Sequence, residues 1–196
     1  AAGSSPLISL SIEGDVLDDL MYSNNLKGCT SKTGLLQMNF IHALSKIQIE
    51  VAKQNDDPEI ANARIHRITL KNTSINGTLD IADGKWTLGE KAGRVFCDAP
   101  GSPLSLTTSA TMVKDASGED AHMLVFPNED GSLISVEVVY SLDAAGTETK
   151  TVECPVYRPN SAETPFSFVQ NHRYTLSVSV ANSGVQVVTV LPKVYD

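Results

Sequence analysis

Apolar side chains recur at every second position in several separate runs of this chain, and this period is the feature that most restricts its fold. A period of two is that of a β-strand, whose successive side chains point to opposite faces. In the clearest run four apolar residues alternate with hydroxyl residues: Tyr174, Leu176, Val178 and Val180. We predict that these four are buried and that Ser177 and Ser179 are more exposed.

Turn residues between such runs predict hairpins. Residues 182–184 turn the chain from that run into 185–190, and 143–146 join the run at 135–140 to the run at 151–156. In these last two runs the inward positions are Val136, Val138, Tyr140, Val152, Cys154 and Val156. Further turns are predicted at Asn76-Gly77, Asp83-Gly84 and Asp130-Gly131.

The segment 35–52 changes parity. Leu36, Met38 and Phe40 share one face of a strand, whereas Ile47, Ile49 and Val51 fall on the other. We favour a bulge within 42–45; a brief helical turn there is the alternative. Elsewhere the best short helical pattern is 16–22.

Size and spacing favour an all-β fold, since 196 residues suffice for one large β-sandwich or two small ones. Strands follow one another at short intervals, which predicts antiparallel sandwiches rather than βαβ units. The Pro- and Gly-containing stretch 99–103 is the best linker. We therefore predict an N-terminal domain at 1–110 and a C-terminal domain at 111–196.

Charge and hydropathy exclude several partners. The net charge is −8 and the basic residues are scattered, which argues against nucleic acid or an anionic membrane surface. No segment reaches the ~20 apolar residues of a membrane helix. The opening residues do not resemble a signal peptide, so we expect any export signal to lie outside this sequence.

No motif for catalysis or for a cofactor is found. The sequence has no G-x-S-x-G, H-E-x-x-H or phosphate loop, and we predict no enzyme activity and no cofactor. The four histidines stand apart: His42, His66, His122 and His172. The acidic loops 55–59 and 115–120 are interpreted as solvated turns rather than calcium sites. The sequons at Asn72 and Asn76 are interpreted as turn chemistry.

Three cysteines, Cys29, Cys97 and Cys154, are too far apart for a zinc motif. Two interpretations stay open: small buried apolar residues, or one disulfide joining Cys29 to Cys97.

Several short sequence motifs add a resemblance to a known protein family. The run LQMNFIHALSKIQIEV at 36–51 resembles a segment of fimbrillin-like proteins from Bacteroides and its relatives. Further motifs stand in the same order as in that family. DLMY at 19–22 lies upstream of this run, and ITLKN at 68–72, GTLD at 77–80, KWT at 85–87, LVFPN at 124–128 and NHRYTLSV at 171–178 lie downstream of it.

The resemblance implies two transthyretin-like, Greek-key β-sandwich domains in tandem, in an exported lipoprotein precursor that reaches the outer membrane, the cell surface or a fimbrium. It implies a structural or adhesive fimbrial subunit, either stalk, anchor or tip, with other subunits as partners. Such subunits lose an N-terminal strand to a protease and accept a strand from a neighbour, which is β-strand addition. The alternative is a surface glycan-binding or adhesin module, with host or bacterial surface ligands, that does not polymerise.

Two features depart from the family pattern. The lipidated cysteine expected near the mature N-terminus is absent, and we expect this lipid anchor, the only membrane contact implied, to precede the sequence. In the best-known fimbrillins an arginine-specific protease cuts near the N-terminus, whereas the first arginine here is Arg64, within a predicted strand. Either that cut has already been made, another protease is used, or this subunit does not polymerise by that route. In the segment 7–12 Ile8, Leu10 and Ile12 alternate with serine. We predict that it is an edge strand, either removable or permanent.

Overall fold

A computed structural model describes residues 6–12, 17–25, 34–99, 101–143, 145–161 and 163–194. These residues form β-strands and one short 3-10 helix, Pro58–Ile60, and contain no α-helix. The strands are β1 (Leu7–Ser11), β2 (Met21–Tyr22), β3 (Ile41–His42), β4 (Ser45–Lys53), β5 (Arg64–Ser74), β6 (Asn76–Asp80), β7 (Lys85–Leu88), β8 (Lys91–Asp98), β9 (Leu104–Ser105), β10 (Thr111–Met112), β11 (Met123–Val125), β12 (Ser135–Ser141), β13 (Thr149–Pro155), β14 (His172–Ala181) and β15 (Gly184–Val194). The all-β prediction is confirmed.

Two five-stranded sheets face each other. One has the order β10-β4-β14-β15, with β11 also paired to β4; the other has the order β13-β12-β5-β8, with β9 also paired to β5. One continuous apolar core lies between them and takes side chains from β4 and β14 on one side and from β5 and β12 on the other. The body of the protein is therefore a β-sandwich.

The period-two pattern correctly predicted which side chains enter this core. Tyr174 is 2% exposed, and Leu176, Val178 and Val180 are fully buried. Ser177 and Ser179, on the opposite face of β14, are partly exposed. The predicted hairpins are also present, since β14 pairs with β15 and β12 pairs with β13, both antiparallel.

Two predictions about the arrangement of these strands are wrong. The sandwich is not wholly antiparallel, because β14 pairs in parallel with β4. Residue 110 also does not separate two sandwiches, because each sheet contains strands from both sides of it. The apolar face of β4 is extended by β14, and that of β5 by β12, so neither half buries its core alone. The described residues of the predicted linker, 99 and 101–103, lie outside any strand, between β8 and β9 of the same sheet.

The parity change at 35–52 coincides with a bend. Ala43 and Leu44 form bends between β3 and β4 and are both fully buried, but in two different apolar clusters: Ala43 with Tyr22 and Leu79, and Leu44 with Leu17 and Phe126. The chain leaves β3, which pairs with β2, and enters β4 of the large sheet. The kink that we favoured as a bulge is this bend between two sheets, and no helical turn forms there.

Other local predictions were wrong. Leu36, Met38 and Phe40 do not form a strand and are each about half exposed. Residues 17–20 are not helical. Gly77 lies inside β6 rather than in a turn. Close packing accounts for a glycine there, since a Cβ would come within 3.1 Å of the Trp86 ring. The turns at Asp83-Gly84 and Asp130-Gly131 are confirmed by positive φ angles at both glycines.

A third sheet, with the order β1-β6-β7, packs beside the sandwich. It covers a small apolar cluster formed by Leu17, Leu44 and Phe126. Within the described residues no helix is long and apolar enough to cross a membrane.

Candidate assembly edge

The outer edge of the third sheet is formed by β1, which pairs antiparallel with β6 from Leu7 opposite Asp80 to Ser11 opposite Asn76. Two backbone hydrogen bonds extend this ladder, from Ile81 N to Pro6 O at 3.1 Å and from Ile12 N to Ile75 O at 2.9 Å. Among the described strands β1 has a neighbour on one side only. We call residues 6–12 and the β6 edge that they cover the assembly edge.

The side chains of β1 are at most partly buried. Leu7 is 64% exposed, whereas Leu10 and Ile12 are partly buried and pack against the small cluster of Leu17, Leu44 and Phe126. Full burial of one such side chain contributes ~1.5–3 kcal/mol, so partial burial contributes less. Since no β1 residue is fully buried, β1 is among the less firmly packed strands of the protein.

The surface beneath β1 is supported from inside. Trp86 Nε1 donates a hydrogen bond of 2.8 Å to Ala43 O, and the Trp86 ring contacts Phe126 edge to face at 5.0 Å. The β6–β7 hairpin that carries Trp86 has its own ladder, from Gly77 opposite Leu88 to Asp80 opposite Lys85. This hairpin therefore keeps contacts that do not involve β1.

An exposed apolar strip lies at 35–40, after the β2 segment. Its four apolar side chains are between 49% and 106% exposed: Leu35, Leu36, Met38 and Phe40. Asn25 holds the strip, since its Nδ2 donates to Gln37 O at 2.9 Å and its Oδ1 accepts from Asn39 N at 3.1 Å. Exposed apolar groups in a cluster are typical of surfaces that contact other proteins. The alternation of Leu36, Met38 and Phe40 predicts a strand, so the sequence pattern does not indicate their exposure.

The histidines and cysteines are dispersed. His66 Nε2 lies 2.9 Å from Ser141 Oγ, and His42 Nδ1 lies 2.9 Å from Asp19 Oδ1. No group of three or more His, Cys, Asp or Glu side chains is placed to hold a metal ion in the part of the chain that the structure describes.

Cys97 and Cys154 are free, and burial raises the pKa of both thiols. Cys29 lies outside the described residues.

The acidic loops use their carboxylates to hold the backbone. Asp57 Oδ1 accepts from Glu59 N at 2.9 Å and caps the 3-10 helix. Asp115 Oδ1 accepts from the hydroxyl and the backbone N of Ser117, and these bonds lower the pKa of Asp115. Both loops therefore have the geometry of turns, as predicted.

The sequon residue Asn72 does not lie in a turn, contrary to the prediction. It lies in β5 with a φ of 61°, at a register shift.

Asp130 gives a prediction about pH. Partial burial opposes its ionisation, but hydrogen bonds from Ser132 and the charge of Lys91 outweigh this and hold the pKa of Asp130 at about 2. A lowered pKa in the folded state stabilises the protein above the unfolded value of ~3.9, and this is lost as the pH falls towards 2. We expect a loss of about 1 kcal/mol or less, because the side chain is 43% exposed and screened by solvent.

Urea unfolding of the wild type and of Asp130→Asn between pH 5 and pH 2 measures this contribution, on the scale of ~1.4 kcal/mol per pKa unit. The difference between the two proteins should shrink as the pH falls. A difference that is constant over this range would contradict the assignment. Glu163→Gln, at an exposed position, is the control and should leave the pH profile unchanged.

Comparison with known proteins places this geometry in context. A family model described as fimbrillin-like matches residues 17–194. A comparison with curated proteins found no match. A solved candidate cell adhesion protein from Bacteroides uniformis superposes with a TM-score of 0.59 at 15% identity, over 100% of this chain and 68% of its own. A fimbrial protein from Bacteroides vulgatus superposes with a TM-score of 0.56 at 12% identity, over 100% of this chain and 69% of its own.

At these identities the two structures show a shared fold alone. This chain spans about two thirds of the length of each.

Proposed function

Because this chain belongs to the fimbrillin-like family, we propose that it is a structural or adhesive subunit of bacterial surface fimbriae. The observation that carries the proposal is the family match over residues 17–194. The solved relatives with the same fold are described as fimbrial or as candidates for cell adhesion. In this proposal the protein is exported as a lipoprotein precursor, works at the outer surface or in a fimbrium, and acts by assembly rather than by catalysis.

We further propose that subunits join by β-strand addition at the assembly edge. If β1 leaves, the N–H and C=O groups of β6 lose the partners that they have at Leu7–Ser11. An incoming strand with apolar residues at alternate positions satisfies those groups and covers Leu17, Leu44 and Phe126 again. A strand given by one subunit to the next makes a head-to-tail contact, which builds a filament rather than a closed ring.

The position of the arginines favours release of β1 by a cut before Leu17. Arg64 is the first arginine and begins β5, a strand of the sandwich core. Cleavage there would separate the core strand β4 from the rest of the chain, whereas a cut between Ile12 and Leu17 would release β1 alone. The sequence between them, EGDV, has neither arginine nor lysine. We therefore propose a protease of another specificity.

A site-specific protease sequence inserted between Ile12 and Leu17 tests this assembly. After cleavage we expect oligomers by size-exclusion chromatography with light scattering, and saturable binding of a synthetic peptide with the sequence of residues 6–12. A peptide in which Ile8, Leu10 and Ile12 are replaced by serine should not bind, because it cannot cover the apolar cluster. The uncleaved protein should remain a monomer.

The matched control carries the same insertion between Gly101 and Ser102, both exposed. Its cleavage should produce neither oligomers nor peptide binding. If cleavage before Leu17 leaves a monomer with an unchanged melting temperature that takes up no peptide, then β1 is a permanent first strand. The chain would then be a module that does not polymerise.

A further inference from the structure

A pocket of about 410 Å³ lies at β7 of the third sheet, and Trp86 and Asp130, described above, are among its lining residues. Three segments that are far apart in sequence form its walls: the β6–β7 turn and β7 (Gly84 to Leu88), the segment 127–130, and Gln170. Its volume is within the range of small-molecule sites, ~300–1,000 Å³. Convergence of separate segments on one concave surface is the usual construction of such a site.

Apolar and polar groups share this pocket. Trp86, Leu88 and Pro127 supply apolar surface, and Glu129 and Gln170 supply a carboxylate and an amide. A sugar ring has the matching chemistry, with C–H groups that pack on apolar or aromatic surface and hydroxyls that donate to carboxylate oxygens.

The charges around the pocket are largely compensated. Asp130 binds the Lys91 ammonium at 3.0 Å, and Lys85 lies 3.6 Å from Asp83. The Glu129 carboxylate and the protein's net charge of −8 disfavour an anionic ligand. The hydroxyl groups of a neutral sugar can donate to Glu129, and the two ion pairs leave no lysine without a carboxylate partner at the pocket.

The walls are held in place before any ligand binds. Gln170 Nε2 donates to Tyr22 OH and to Gly84 O, both at 3.1 Å. Because Gly84 O only accepts hydrogen bonds, this geometry fixes which atom of the amide is nitrogen. Trp86 is held by its bond to Ala43 O. A preformed site avoids the entropy cost of ordering its side chains on binding.

We propose that this pocket binds a neutral sugar residue of a glycan, through apolar contact with Trp86 and hydrogen bonds to Glu129. Binding here does not require strand exchange, because β1 does not line the pocket. Failure of the assembly experiment would therefore leave this proposal intact, and failure of sugar binding would leave the assembly proposal intact.

Trp86 is the only tryptophan of the chain, so intrinsic fluorescence reports directly on the pocket. The purified protein is titrated with methyl glycosides of glucose, galactose, mannose and N-acetylglucosamine, and with choline and glucuronate as cationic and anionic probes. We expect a saturable change in emission with at least one neutral glycoside. Glu129→Gln should weaken that binding by about 10-fold or more, because a hydrogen bond to a charged acceptor becomes one to a neutral amide.

Glu129 is exposed, so this substitution leaves the core intact, and Glu163→Gln is the matched control that should bind as the wild type does. Saturation-transfer NMR on the same three proteins gives a second measurement of binding that does not depend on tryptophan emission. The proposal is overturned if no neutral glycoside binds by either method, if only choline or only glucuronate binds, or if Glu129→Gln and Glu163→Gln bind equally.

Discussion

Replacement of Leu176 by alanine is expected to lower the free energy of unfolding by about 2–5 kcal/mol. Leu176 is fully buried in β14, which lies between β4 and β15 in its sheet. Neighbours on both sides keep the sheet from closing around the space left by the side chain. The loss therefore includes the burial of the leucine and the cavity that remains. Urea unfolding followed by circular dichroism measures the change.

Val188→Ala is the matched control. Val188 lies in β15 and is 54% exposed. Its truncation removes little buried surface and should cost less than ~1 kcal/mol, most of it from the lower strand propensity of alanine. Equal losses for the two variants would contradict the assignment of Leu176 to the inner face of the sheet.

Asn128→Ala is the second substitution with a large expected effect. Asn128 is 4% exposed and joins two loops, because its Nδ2 donates to Ser132 O at 3.0 Å and to Phe166 O at 2.9 Å. Its Oδ1 accepts from Phe168 N at 2.5 Å. Alanine at this position leaves two buried backbone groups, Phe166 O and Phe168 N, and the partly buried Ser132 O without these partners. We expect a loss of about 3 kcal/mol or more, since each unsatisfied buried group costs ~1–3 kcal/mol.

Asn128→Asp separates the hydrogen bonds from the volume of the side chain. Aspartate keeps the shape and the acceptor for Phe168 N, but an ionised carboxylate cannot donate to Phe166 O. We expect it to be strongly destabilising at pH 7 and less so at pH 4, where the protonated form regains a donor. The exposed Asn62, replaced by alanine, is the control and should change stability by less than ~0.5 kcal/mol. Similar unfolding midpoints for Asn62→Ala and Asn128→Ala would contradict the bridging role.

The Asn128 bridge also shows that a local sequence motif does not reveal tertiary contacts. The run LVFPN at 124–128 indicated the family, but no local pattern shows that its asparagine contacts Phe166 and Phe168. The same limit applies to the pocket beside Trp86. Its walls come from segments around residues 86, 129 and 170, and none of these segments carries a sequence motif for a ligand. Contacts of this kind depend on how distant loops meet.

Local interactions made part of the fold predictable from the sequence alone. Alternation assigned the buried faces of β12 and β14, and short turns joined β12 to β13 and β14 to β15. A strand that continues through a short turn has its partner close by, and closing a short loop costs little entropy. The edge position of β1 also followed from its alternation, although its partner β6 did not.

Tertiary structure decided the remaining pairings. Several strands of this chain carry equivalent apolar faces, and alternation cannot distinguish which of them pairs with β4. In the folded protein β14 does so, in parallel, and β12 pairs with β5. These contacts merge the predicted domains 1–110 and 111–196 into one sandwich, because each half has an apolar sheet face that only strands from the other half complete. Alternation in the sequence identified the buried side chains of β12 and β14, whereas the choice of strand partners required the packing of the whole core.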